Sequence, residues 1–84
     1  MDNWYVYILE CSDGSFYTGI TTDLDRRLNE HNNSSLGARY TRSRRPVKQV
    51  FSRACKDRSE ASKSEYAIRK LSKKEKIKLI KSSI

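Results

Sequence analysis

The alternation of apolar and polar positions divides the chain into short segments with two different periods. From Asn3 to Glu10 the residues read NWYVYILE, and apolar or aromatic side chains occupy both parities: Trp4, Val6 and Ile8 on one, Tyr5, Tyr7 and Leu9 on the other. A strand of this kind is covered on both faces, so it belongs in the middle of a sheet. Ser12 to Ser15, with Asp13-Gly14 at the tip, carries turn chemistry, and Phe16 to Ile20 reads as the returning strand of a hairpin. Gly19 marks a close backbone approach or the end of that strand. Leu24 and Leu28 then recur at helical spacing behind Asp23, which predicts a capped helix over Leu24 to Asn32. Asn32, Asn33, Ser34, Ser35 and Gly37 close it as a polar loop.

The second half repeats the logic. After Pro46, Val47 to Cys55 reads as a third strand, with Val50, Phe51 and Ala54 apolar. Asp57 with Glu60 forms a capping-box variant that opens a helix over Arg58 to Leu71. Its stripe is Ala61, Ile68 and Leu71, and Ser64 is small enough to pack beside them. Ser72 with Glu75 is a second capping box and opens a last helix. Ile77, Ile80 and Ile84 mark its inner side, while Lys73, Lys74, Lys76, Lys78 and Lys81 point mostly outward. The expected fold class is therefore α+β: one domain over residues 1–84, a small three-stranded antiparallel sheet flanked by helices, in the order β-β-α-β-α-α.

With 84 residues the core is small, and any active site must be a shallow one near the surface. No apolar run reaches the length of a membrane span. The N-terminus holds Asp2 and no basic stretch, so a secretory leader is not expected, and the cytoplasm is the expected compartment. Cys11 and Cys55 read as buried free thiols of a reducing compartment. The absence of a CxxC pair or a Cys/His cluster argues against structural zinc.

Charge changes the picture. The net charge is +8, and residues 1–37 hold two basic against six acidic side chains, while residues 38–84 hold sixteen against four. Such an asymmetry is the footprint of a polyanion partner, of which nucleic acid, DNA or RNA, is the common case. The densest basic stretch is Ala38 to Arg45, ARYTRSRR. Arg39, Arg42, Arg44 and Arg45 supply forks that match phosphate oxygens, and Tyr40 among them is suited to stack on a base or fill a groove.

Other polar residues sit where packing alone would not put them. Tyr7 and Tyr17 lie inside the two hairpin strands. Arg27 and His31 are four apart on the helix face that carries Leu24 and Leu28. Glu65 lies at the edge of the Ala61–Ile68 stripe, where a carboxylate needs an ion-pair partner or a cation to bind.

Tyr5-Val6-Tyr7, nine residues, Tyr17-Thr18-Gly19, then Arg27 and His31 on the next helix and Glu65 further on: this order resembles the GIY-YIG nuclease family, in particular its small stand-alone bacterial members. The resemblance implies a metal-dependent DNA endonuclease, acting on branched or damaged DNA in repair. It assigns Tyr7, Tyr17, Arg27 and His31 to catalysis, with Tyr7 as base and Arg27 on the scissile phosphate. It gives Glu65 to Mg²⁺ or Mn²⁺, and Gly19 to the backbone turn beside the site. Targeting would come from a partner protein or from the shape of the substrate. Three positions depart from the family pattern. Tyr5 stands for its first glycine, Thr18 for its isoleucine, and a lysine-rich segment follows Glu65 where the family has an asparagine; Lys73 is one lysine that offers charge there. The third departure motivates an alternative reading, a nucleic-acid-binding module that does not cut.

Overall fold

A computed structural model describes residues 3–82. The elements run β1 (Trp4–Glu10), β2 (Phe16–Thr21), α1 (Leu24–Asn33), α2 (Arg39–Arg42), β3 (Lys48–Cys55), α3 (Arg58–Arg69) and α4 (Lys73–Ser82). The strands form one antiparallel sheet in the order β2-β1-β3. β1 is thus the central strand, as its doubly apolar pattern requires, and Val6, Tyr7, Ile8 and Leu9 are all buried. The architecture matches the expected α+β class and element order, with one addition. The four residues of α2 form a helical turn inside the segment that reads as a basic loop.

The two parities of β1 feed two cores. Val6 and Ile8 pack with Phe51, Cys55, Ala61 and Ile68 on the face covered by α3, with Leu79 and Ile80 of α4 against them. Tyr7 and Leu9 pack with Cys11 and Val47 on the other face, against Tyr17 and against Leu24 and Leu28 of α1. Both cysteines are buried and free, one in each core. Ile84, expected on the inner side of the last helix, lies outside the described residues.

The local signals behave as their chemistry demands. Gly14 takes φ +83°, a conformation open to glycine at the hairpin tip, and Asp13 Oδ1 accepts from the Ser15 N–H and hydroxyl. Asp23 Oδ1 accepts from the Arg26 N–H at 3.0 Å and starts α1. Asp57 does the same for Glu60 at 2.8 Å. Ser72 and Glu75 exchange both capping-box bonds. A one-residue irregularity between Ile8 and Leu9 leaves Val50 unpaired in the β3 register, so Ile8 faces Phe51 and Leu9 faces Gln49.

Candidate active site

The hairpin register places the functional residues. Tyr7 pairs with Gly19 and Leu9 with Tyr17, so Tyr7, Gly19 and Tyr17 share the α1 face of the sheet. Gly19 is there because Tyr7 lies across it. A Cβ at Gly19 would meet the Tyr7 hydroxyl oxygen at 2.5 Å and its ring carbon Cζ at 2.7 Å. The Tyr7 side chain is therefore seated by the absence of a neighbouring one.

α1 brings in the imidazole. His31 is wholly buried and its Nε2 lies 2.9 Å from the Tyr7 hydroxyl. Its ring meets those of Tyr7 and Tyr17 edge-on, with centroids 5.9 and 5.2 Å apart. Its Nδ1 lies 2.8 Å from the hydroxyl of Thr41, itself wholly buried. Burial, and then the positive charges of Arg27 and Arg45, push the His31 pKa down from 6.5 to about 4, so the ring is neutral at physiological pH. Burial also pushes the Tyr7 phenol up to about 12; the Arg27 guanidinium opposes this rise, whereas the charges of Tyr17 and Glu65 add to it. Tyr7 thus lies within the electrostatic reach of Tyr17, Arg27 and Glu65 together.

Arg27 is held by its own helix and by the loop that follows it. It donates to Glu30 Oε1 and to the Leu36 carbonyl, each at 2.8 Å. Its carboxylate partner is therefore Glu30, three residues on in the same helix, and not Glu65. Glu65, half-buried on α3, makes no ion pair or hydrogen bond among the described residues. Its carboxylate is available to a cation. Among the described residues no three acidic, histidine or cysteine side chains gather into a metal cluster.

The basic segment divides into two kinds of arginine. Arg39 and Arg42 are exposed, and their side chains have no bonding partner among the described residues. Arg44 donates to Asp13 Oδ2 at 3.0 Å and to the Tyr40 carbonyl at 2.9 Å, and its guanidinium lies 3.9 Å over the Tyr40 ring. Arg45 donates to the carbonyls of Glu30, His31 and Ser34, and so caps the negative end of α1. Tyr40 stacks on Tyr17 at 6.0 Å, extending the aromatic row Tyr7–His31–Tyr17 towards α2.

Three contributors were not singled out in the sequence. Thr41 completes the buried hydrogen-bonded line. Its signal was indirect: a histidine buried on a helix must satisfy two ring nitrogens, and the nearby polar loop is where a second partner would come from. Arg69 and Lys76, with Phe16, Tyr17, Thr18 and Tyr40, line a cleft of about 250 Å³ beside Tyr17. Neither cation is ion-paired among the described residues. Arg69 is four residues from Glu65 on α3, a helical spacing that puts the two side by side. Lys73, by contrast, lies over the Phe16 ring at 5.8 Å.

A family model described as the GIY-YIG catalytic domain matches residues 3–78. A UPF0213 protein of Desulfotalea psychrophila is 61% identical over 80 residues, which are 95% of this chain and 73% of that one. Another from Staphylococcus saprophyticus is 48% identical over 95% of this chain and 96% of its own. Among solved structures, the solution NMR structure of a UPF0213 protein from Bacillus halodurans is 49% identical, with a TM-score of 0.60 over 94% of this chain and 83% of that one. An E. faecalis protein, also solved by NMR, is 48% identical, with a TM-score of 0.67 over 98% and 86%.

Proposed function

The chain belongs to the GIY-YIG catalytic-domain family, a family of nucleases, and from that premise we propose that it is a divalent-metal-dependent endonuclease that hydrolyses phosphodiester bonds in DNA. The observation that carries the reading is the Tyr7 hydroxyl: buried, hydrogen-bonded to His31 at 2.9 Å, and within the fields of Arg27, Tyr17 and Glu65. A buried phenol set among a cation, an imidazole and a carboxylate is a poor core group and a good proton acceptor once ionised.

In this reading the Tyr7 phenolate takes a proton from water as the water oxygen bonds to phosphorus. The P–O bond to a sugar oxygen breaks, and that oxygen leaves with a proton from solvent. Arg27, fixed by Glu30 and the Leu36 carbonyl, binds the scissile phosphate and offsets its growing charge. Tyr17 orients the water or the phosphate. Glu65 is the residue that would hold Mg²⁺ or Mn²⁺. One free carboxylate suits Mg²⁺, which keeps most of its water shell. When bound, the ion would supply positive charge for the phosphoryl group and the leaving oxygen. Arg39 and Arg42 on α2, and Arg69 and Lys76 in the cleft beside Tyr17, contact flanking phosphates. In this reading the protein works in the cytoplasm, with branched or damaged DNA under repair as its shape-selected target. No helix among the described residues is long and apolar enough to cross a membrane.

One observation favours a second reading. A phenol held near 12 is protonated at neutral pH, which suits a module that binds nucleic acid without cutting it. Supercoiled plasmid and a branched DNA, each incubated with the protein and Mg²⁺ or Mn²⁺, separate the two. The nuclease reading expects nicked circle and cut branches, both lost in Glu65→Gln. Retention of DNA that falls steeply with salt, without any cut product, would leave the binding module.

A further inference from the structure

Among the described residues, the only buried side-chain polar atom without a hydrogen-bond partner is the hydroxyl oxygen of Thr18. Thr18 is 4% exposed, and its pairing with Ile8 turns it to the α3 side of the sheet. Valine has the same shape and would fill that space without an unmet hydroxyl, so packing gives the hydroxyl no purpose. Its position gives one. Thr18 lines the cleft of about 250 Å³ beside Tyr17.

That cleft runs along an edge of the sheet, because β2 is an outer strand. Arg69 of α3 and Lys76 of α4 bring two positive charges to it, and neither is ion-paired among the described residues. Lys76 is half-buried, so its charge is partly out of water and favours an anion beside it. The aromatic lining is already engaged by the protein itself. Tyr40 stacks on Tyr17 at 6.0 Å and carries the Arg44 guanidinium 3.9 Å over its ring, and Lys73 lies over Phe16. What the cleft offers a ligand is therefore two cations and a hydroxyl, the donors that phosphate oxygens take. Arg69 follows Glu65 by four residues of α3, about 6 Å along the helix axis. Tyr17 belongs both to the cleft and to the aromatic row with Tyr7 and His31.

We propose that this cleft binds one phosphate of a DNA strand, the neighbour of the phosphate that is cleaved, through Arg69, Lys76 and the Thr18 hydroxyl, without reading the base. The proposal rests on the reading of the Tyr7–Tyr17–Glu65 region as the phosphodiester site. A step between χ1 wells exchanges the Thr18 hydroxyl with its methyl group, and so lets the hydroxyl follow an incoming phosphate oxygen. Thr18 then answers to the ligand rather than to the core.

Fluorescence anisotropy with a fluorescein-labelled dT oligonucleotide, in EDTA so that no metal ion supports cleavage, tests this on the whole chain. Arg69→Gln and Lys76→Gln should each weaken binding severalfold. Each should also reduce the slope of log K against log salt by about 0.7, one phosphate contact on a single strand. Thr18→Val should weaken binding by about fivefold at fixed salt with the native slope, while its thermal midpoint stays at or above that of the native protein. A dA oligonucleotide should give the same losses as dT. Native affinity in Thr18→Val overturns the role of the hydroxyl, and native slopes in both Arg69→Gln and Lys76→Gln overturn the subsite. Losses seen with dT alone overturn the claim that the base is not read. Should Thr18→Val not fold, the two salt slopes decide. Binding that responds to all three substitutions, in a protein that never cuts DNA when Mg²⁺ is added, would sink the nuclease reading and leave the phosphate subsite standing. Cleavage by a protein whose binding ignores all three would remove the subsite alone.

Discussion

Acid should destabilise this protein through one buried ring. The His31 pKa is pushed from 6.5 in an open chain down to about 4 in the fold, chiefly by burial and next by the charge of Arg27. Between those two values the unfolded chain binds a proton that the folded chain does not. Stability is therefore complete above pH 6.5, falls as the pH drops towards 4, and loses nothing more from this group below that. At about 1.4 kcal/mol per pH unit the interval is worth roughly 3 kcal/mol, a large part of the ~5–15 kcal/mol expected of a small domain. Urea unfolding at pH 7.5 and 4.5, for the native protein and for His31→Gln, isolates the contribution. Glutamine does not titrate, so background changes from other groups appear in both proteins and cancel. The native protein should lose about 2–3 kcal/mol more than the variant between the two conditions. Equal losses, or an NMR titration that puts the folded His31 near 6.5, would show that burial does not hold the ring neutral.

Three further outcomes follow from the packing. Gly19→Ala should leave the fold in place at a cost of about 1–3 kcal/mol, because its Cβ collides with the Tyr7 hydroxyl; thermal unfolding reads the cost, and loss of DNA cleavage reads the displaced phenol. Arg45→Ala removes the cation from three carbonyls at the end of α1 and should destabilise the protein by about 2 kcal/mol in urea, far more than an exposed arginine would. Replacing Arg39 and Arg42 together should change stability by less than about 0.5 kcal/mol each, yet weaken DNA binding and flatten its salt dependence by about two counterions in a fluorescence-anisotropy titration.

Much of this was legible in the chain because the deciding interactions are local. Side chains on both parities of β1 require cover on both faces, and that alone puts the strand in the centre. Asp23, Asp57 and the Ser72–Glu75 pair cap helices by bonds that span three residues. What escaped notice depends on distant partners. α2 is too short to be stable on its own propensity; it is held by Arg44 on Asp13, thirty-one residues away, and by Arg45 on the end of α1. Within ARYTRSRR nothing local tells an arginine that faces solvent from one that binds carbonyls. Arg27 and His31 share a helix face as their spacing demands, but the Thr41 hydroxyl reaches the ring only through the loop closure at Gly37. Arg69 and Lys76 lie on two helices, and their cleft exists only once α4 folds back on the sheet.

Tyr7 and Glu65 are 58 positions apart in the chain, and everything proposed for them requires that they serve one chemical step. Single-turnover cleavage of DNA by Tyr7→Phe, Glu65→Gln and the double variant measures this directly. If the phenol and the carboxylate act at one centre, the double variant should be no slower than about the worse of the two singles, as groups that work as a unit are strongly non-additive. Losses that simply multiply would mean that the two side chains act independently, and the single site described around Tyr7 would be wrong.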